Sequence, residues 1–218
     1  QDTTTDESGT STKGIKAGGG MYLNGGTYQI DSADDSIHSN ANITIADGTY
    51  TLATGDDGVH ADDALIVNGG TITVTESYEG LEGLTVTIND GTIDITASDD
   101  GINTAGEKME LNGGYIHILA GGDGVDSNGD LTINGGEIYI DGPSDNGNNA
   151  IDYGDRSSAY VNGGTLVAIG SSGMAEVMSD SSKQKVLMIK LGEQMEAGNV
   201  VLTDSEGNVI VSYTALKT

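Results

Sequence analysis

Residues 57–74 read DGVHADDALIVNGGTITV, and this stretch decides the fold. It holds three short extended runs, at 58–61, 65–67 and 71–74, with Asn68-Gly69-Gly70 as the corner between the last two. Apolar and polar residues alternate within the runs, which is the spacing of strands and not of a helix. The phrase recurs along the chain. The second glycine of its corner stands at Gly26, Gly48, Gly70, Gly91, Gly114, Gly136 and Gly164, at intervals of 22, 22, 21, 23, 22 and 28 residues. In step with it run GIKA from 14, SIHS from 36, GVHA from 58, GLEG from 80, GINT from 101, GVDS from 124 and AIDY from 150. A fixed period of this length marks a repeat architecture in which each unit buries its apolar face only against its neighbours.

The period predicts geometry. Three strands per repeat, separated by turns, give an all-β fold: a right-handed parallel β-helix of about seven coils, its strands about 4.8 Å apart along the axis. Three inward columns follow from the spacing. The first is Ile15, Ile37, Val59, Leu81, Ile102, Val125 and Ile151. The second is Leu23, Ile45, Val67, Ile88, Leu111, Ile133 and Val161. The third is Ile30, Leu52, Val74, Ile95, Ile118, Ile140 and Ala168. Glycine at the corners supplies positive φ and close coil-to-coil approach. The single proline fits a fold that needs every backbone donor in its ladder. The NGG phrases read as turns and not as phosphate loops, because no helix and no GxxxxGK[ST] follows. Residues 1–12 are a polar tail, 13–170 the coil stack, and 171–218 a linker and C-terminal β cap. Within that cap 185–191 is expected as a strand, and 199–203 with 208–213 as a hairpin around DSEG.

Charge is the extreme property: 34 acidic against 8 basic residues, net −26. Nucleic acid is excluded as a partner, since phosphate binding needs Lys and Arg. No cysteine is present, so no disulfide framework exists, and no run of 18 apolar residues suits a membrane span. The chain begins at Gln1 and not at Met, which is read as removal of an export signal.

The acidic residues repeat at one corner of successive coils, where carboxylates about 4.8 Å apart repel unless a cation lies between them. The candidate metal ligands are Asp34, Asp35, Asp56, Asp57, Glu79, Asp99, Asp100, Asp123, Asp126 and Asp152, with Glu82 and His60 adjacent. An all-oxygen set without cysteine points to a hard ion. Ca²⁺, which takes 6–8 oxygens, suits two neighbouring coils better than the strictly octahedral Mg²⁺. Two other calcium motifs fail. GGDGVDSNG at 121–129 is a lone nonapeptide in a chain whose period is 22. DSNGD at 126–130 begins like an EF-hand loop but has Leu131 where Gly is required. His38 and His60 hold equivalent positions in consecutive coils. They read as outward residues of the first short strand, with a transition-metal pair as the sharper alternative. His117 is a strand residue with no evident partner.

The phrases KGIKA, LNGGTYQIDSADDSIHS, IADGTYTLATGDDGVHADD, LIVNGGTITVTESYEGLEG and TINDGTIDITASDDGINTAG resemble a family of cell-surface carbohydrate-binding proteins defined in cellulose-degrading clostridia and related in fold to family 9 pectate lyases. The resemblance covers 13–170, and VVLTDSEGNVIVSYT resembles the family's C-terminal hairpin. It implies Ca²⁺ at the acidic corners and binding to plant polysaccharide, including polygalacturonate. Tyr78-Glu79 stands in place of one acidic pair, as in the family. After Lys217 the pattern departs, since a further strand is expected there.

Three functions compete. A pectate lyase needs a basic residue to remove a proton beside the metal-neutralised uronate. Within the coils the basic residues are Lys13, Lys16, Lys108 and Arg156, none beside an acidic pair in sequence, and Lys108 is expected in a turn. A non-catalytic, extracellular cell-surface binder is the leading reading, with Ca²⁺ bridging the anionic protein to a uronate-containing polysaccharide. Neutral glycans would need aromatic platforms. The chain has no Trp or Phe, and Tyr78, Tyr139 and Tyr153, with Tyr22 and Tyr160, are the candidates, while Tyr28 and Tyr50 fall in core columns. The third reading is a filament subunit, in which open coil ends stack head to tail and the N-terminal tail or a strand docks on the neighbour.

Overall fold

The structure, a computed structural model, describes residues 11–217, so most of the polar tail lies outside the described residues. The 22-residue period becomes a parallel β-solenoid of about six turns with a C-terminal antiparallel hairpin. Strand-to-parallel-strand connections of this kind wind right-handed. All three apolar columns read from the sequence are register columns. Ile15, Ile37, Val59, Leu81, Ile102, Val125 and Ile151 pair in succession on the first face. The column from Leu23 to Val161 does so on the second. That from Ile30 to Ala168 does so on the third. From Ile37 to Ile140 these column residues are 0–1 % exposed. β-Branched side chains stacked in parallel register fill a narrow interior along its whole length.

Each corner explains its glycine. All seven corner glycines have φ between 84° and 127°, a region that side chains rarely enter. At the acidic corner, glycine answers a different need. A Cβ on Gly58, Gly80 or Gly101 would sit 2.4–2.5 Å from a carbonyl oxygen of the next coil. Tyr28 and Tyr50 stack with parallel rings 5.0 Å apart, and the fully buried Tyr50 hydroxyl donates to the Asp47 carbonyl.

The hairpin forms from Gly198–Thr203 and Val209–Ala215. It lies along the flank of the stack: Tyr213 donates to Asp141, the Leu216 amide donates to Asp141 Oδ1 at 3.0 Å, and Lys217 Nζ donates to the Ala120 carbonyl. The last coil is covered instead by the segment read as a linker, through Ser179 N to Ala159 O and Gln184 N to Val161 O. Residues 185–191, expected as a strand, run without strand pairing. Lys108, expected in a turn, lies in the strand Ile102–Leu111 and pairs with Glu110.

Candidate metal centre

Two columns of polar residues border one groove along the first face. The corner column is Lys13, Asp35, Asp57, Glu79, Asp100, Asp123 and Asn149. The residue after each member donates its amide to the corner carbonyl of the next coil, as in Ser36 N to Asp57 O, Gly80 N to Asp100 O and Gly124 N to Asn149 O. The corner carbonyls are therefore engaged in the ladder, and the side chains are left to face the groove. The strand column is Lys16, His38, His60, Glu82, Asn103, Asp126 and Asp152, one coil apart by register.

The N-terminal half of the groove has its own cations. Lys13 Nζ reaches Asp34 at 2.8 Å and the fully buried Asp35 at 2.5 Å. Burial alone would lower the Lys13 pKa, but its hydrogen bonds to both carboxylates outweigh this and raise it. Asp34 is likewise pulled below the usual carboxylate range, Lys13 overcoming the cost of burial. Asp56 completes a possible ligand triad with Asp34 and Asp35. It is pushed up by burial and by the charges of those two neighbours. His38 Nδ1 lies 2.7 Å from Asp35, and His60 Nδ1 lies 3.1 Å from Asp57 and 3.2 Å from Glu82. Burial opposes the charge on His60, yet those carboxylates lift it to about 9. Neither histidine is a free outward residue: the His38 side chain is 9 % exposed and that of His60 28 %.

The C-terminal half has no such partners among the described residues. Asp100, Asp123 and Asp126 each offer an oxygen within 4.8 Å of the others. Burial first, and mutual repulsion second, push Asp100 to about 7 and Asp123 and Asp126 to about 6. Glu79, one coil earlier, reaches about 8 by burial and by the charges of Asp57, Glu82 and Asp100, although Asn103 donates to it at 2.9 Å. One oxygen of each corner Asp accepts an amide from the next coil: Asp100 from Asp123 at 2.7 Å, and Asp123 from Asn149. The other oxygen stays available. Two buried side-chain oxygens lack any partner among the described residues, Asn103 Oδ1 and Asn149 Oδ1. They belong to residues on either side of the three carboxylates, since Asn103 pairs in register with Asp126 and Asn149 donates to both Asp123 and Asp152. Buried acceptors without donors are costly unless water or an ion meets them. Three converging carboxylates, with amide oxygens on neighbouring residues, make a donor set that suits a hard cation. Of the remaining sequence candidates, Asp99 is held by the Tyr78 hydroxyl, which it pushes up to about 12, and Asp152 accepts from Asn149.

A family model described as carbohydrate-binding domain-containing protein matches residues 1–58 and 56–206. The chain belongs to this family. No curated protein and no solved structure matches significantly. With no Trp or Phe in the chain, tyrosines are the aromatic side chains that offer a face to a sugar ring. Tyr22 and Tyr78 are 65 % and 46 % exposed, and Tyr78 adjoins the acidic groove. Tyr139 is sandwiched between Tyr115 and Tyr213 at 5.7 and 5.0 Å, and the Tyr153 hydroxyl is tied to the Val177 carbonyl.

Several residues of this domain escaped the sequence reading. Lys13 occupies the Asp35 position one coil earlier, so the repeat register could have found it. Asn149 occupies the same position in the last coil. His117 does have partners, Tyr213 at 3.1 Å and Asp94 at 3.2 Å. Asn68, Asn89, Asn112, Asn134 and Asn162 form a ladder of amide-to-amide bonds of 2.7–2.9 Å along the NGG corner.

Proposed function

We propose that the chain is a non-catalytic, extracellular carbohydrate-binding β-helix that holds Ca²⁺ in the C-terminal half of its groove and uses it to bind a uronate-containing, polygalacturonate-like polysaccharide at the cell surface. One observation carries this reading: Asp100, Asp123 and Asp126 converge within 4.8 Å beside partnerless buried amide oxygens. A net charge of −26 repels a polyuronate, so a bridging cation is required for two anions to associate. Tyr78 at the same groove supplies an apolar face for a sugar ring. Catalysis by proton abstraction is disfavoured by the state of the bases. Lys13 and His60 are held protonated by their carboxylates, and Lys108 is paired with Glu110 at 2.8 Å outside the groove. The test is retention on insoluble polygalacturonate. The protein is expected to bind with Ca²⁺, to elute with chelator, to bind neutral glucan more weakly and to release no unsaturated product. Retention unchanged by chelator would overturn the reading.

A second reading, a filament subunit, is favoured by the C-terminal segment. Val186, Leu187, Met188, Ile189 and Leu191 are 40–64 % exposed in a row without strand pairing. Such a row is a template for strand addition from a neighbour. Negative-stain microscopy should then show polymers that vanish on deletion of residues 1–12. Polymers that persist without them would remove the tail from the assembly.

A further inference from the structure

The histidine pair does something that the carboxylate groove does not. His38 and His60 are register partners in adjacent coils, their rings 5.0 Å apart and inclined at 72°. Each turns Nδ1 toward a carboxylate: His38 to Asp35 at 2.7 Å, His60 to Asp57 at 3.1 Å. Donating Nδ1–H to a carboxylate orients each ring with Nε2 on the far side, where exchange of its proton for a cation exposes a ligating lone pair, the arrangement found behind metal-bound imidazoles. Both Nε2 atoms then face one atom, Asp62 Oδ1, at 3.7 Å each. A proton or a cation must lie between each Nε2 and that oxygen, and a single divalent cation can serve both. Asp62 reaches this place because the Val59–Val67 strand shifts register between Ala61 and Ala64, and a bulge of this kind re-aims a side chain.

We infer that His38 Nε2, His60 Nε2 and Asp62 form a site for a borderline divalent transition-metal ion, Zn²⁺ foremost, distinct from the carboxylate cluster of Asp100, Asp123 and Asp126. A tetrahedral centre with arms of about 2.0 Å holds its ligands about 3.3 Å apart; the two Nε2–Asp62 separations of 3.7 Å approach that value, and binding would draw together the two rings, whose centroids are 5.0 Å apart. Imidazole nitrogen selects Zn²⁺, Cu²⁺ or Ni²⁺ over Ca²⁺. Three protein ligands leave a fourth position open, and the side of entry is solvent-accessible, with the Asp62 side chain 43 % exposed. The site does not depend on the glycan reading.

The test titrates Zn²⁺ into chelator-stripped protein in excess Ca²⁺, with calorimetry for stoichiometry and ¹⁵N chemical shifts of the histidine rings for the ligand atoms. One equivalent is expected to bind, with the Nε2 shifts of His38 and His60 moving and that of His117 unmoved. Co²⁺ in its place should give the visible absorption of a tetrahedral centre. Asp62→Asn, at a half-exposed position that the fold tolerates, should weaken Zn²⁺ by at least about tenfold, and Asp126→Asn should leave it unchanged. Absence of Zn²⁺ binding, equal affinity in a His38→Gln, His60→Asn double variant that retains the wild-type melting temperature, or full displacement by Ca²⁺ would each overturn the inference. So would ring shifts that report only protonation.

Discussion

At the scale of single residues, the acidic corner is governed by the space available next to each carboxylate. Gly80 has no positive φ, and its requirement is clearance: a Cβ there would lie 2.4 Å from the Gly101 carbonyl oxygen and 2.4 Å from Ile95 Cγ2. Gly80→Val should destabilise by about 1–3 kcal/mol or more, because neither neighbour can yield without opening the coil-to-coil ladder. Gly19→Ala, with nothing within 4 Å, should be close to neutral. Urea unfolding of both variants checks the contrast, and equal midpoints would contradict it. The sequence made such glycines visible as a repeated letter but did not show which of them serves positive φ and which serves close approach. Positive φ at Gly70 and contact at Gly80 look alike in a string. Lys13 was hidden for a related reason: its partners stand 21 and 22 residues away, and only the coil register makes that separation a contact.

At the scale of elements, local patterning was legible where a partner strand exists and misleading where none does. The columns ending at Ile151, Val161 and Ala168 formed in the expected register because every coil offers the next a matching ladder. KVLMIKL at 185–191 has the same apolar character and stays unpaired, since propensity does not supply a neighbour. The hairpin shows what holding such a piece requires. A two-stranded ribbon is marginal by itself, and this one is fastened by Tyr213, Leu216 and Lys217 to Asp141 and Ala120 on the flank. Asp141 is 1 % exposed, and burial together with the Asp141 hydrogen bond raises the Tyr213 pKa. Tyr213→Phe leaves that buried carboxylate short of a donor, at a cost of about 1–3 kcal/mol. Amide exchange across 198–215 should therefore accelerate in the variant, while exchange in the central coils stays unchanged. Uniform acceleration along the whole chain would show that the hairpin is part of the solenoid's cooperative unit and contradict the account.

At the scale of the whole molecule, the groove is a line of charge with a cationic first position, Lys13, and a neutral last one, Asn149, and its middle is left to repel itself. The pH dependence of the chelator-treated protein follows. Glu79 near 8, Asp100 near 7 and His60 near 9 all stand above their ordinary values. Raised folded-state pKa values contribute stability that is complete below the unfolded values, near 4.5, 3.8 and 6.5, and that is lost as pH climbs through the folded ones. The melting temperature in chelator should fall between pH 5.5 and 9, and added Ca²⁺ should flatten the fall. A melting temperature that rises over that range would refute the electrostatic picture. The acidic repeat and the corner carboxylates could be read from the sequence. Which half of the groove is open to an ion could not, because that depends on Lys13, His38 and His60 meeting Asp34, Asp35 and Asp57 in space, and on Asn103 and Asn149 being buried without donors. The most direct measurement is calorimetric titration of Ca²⁺ into stripped protein, wild type against Asp126→Asn and Asp34→Asn. The account predicts a site that Asp126→Asn abolishes or weakens by at least about tenfold and that Asp34→Asn, already served by Lys13, leaves in place. Loss of the site in Asp34→Asn with full retention in Asp126→Asn would contradict it.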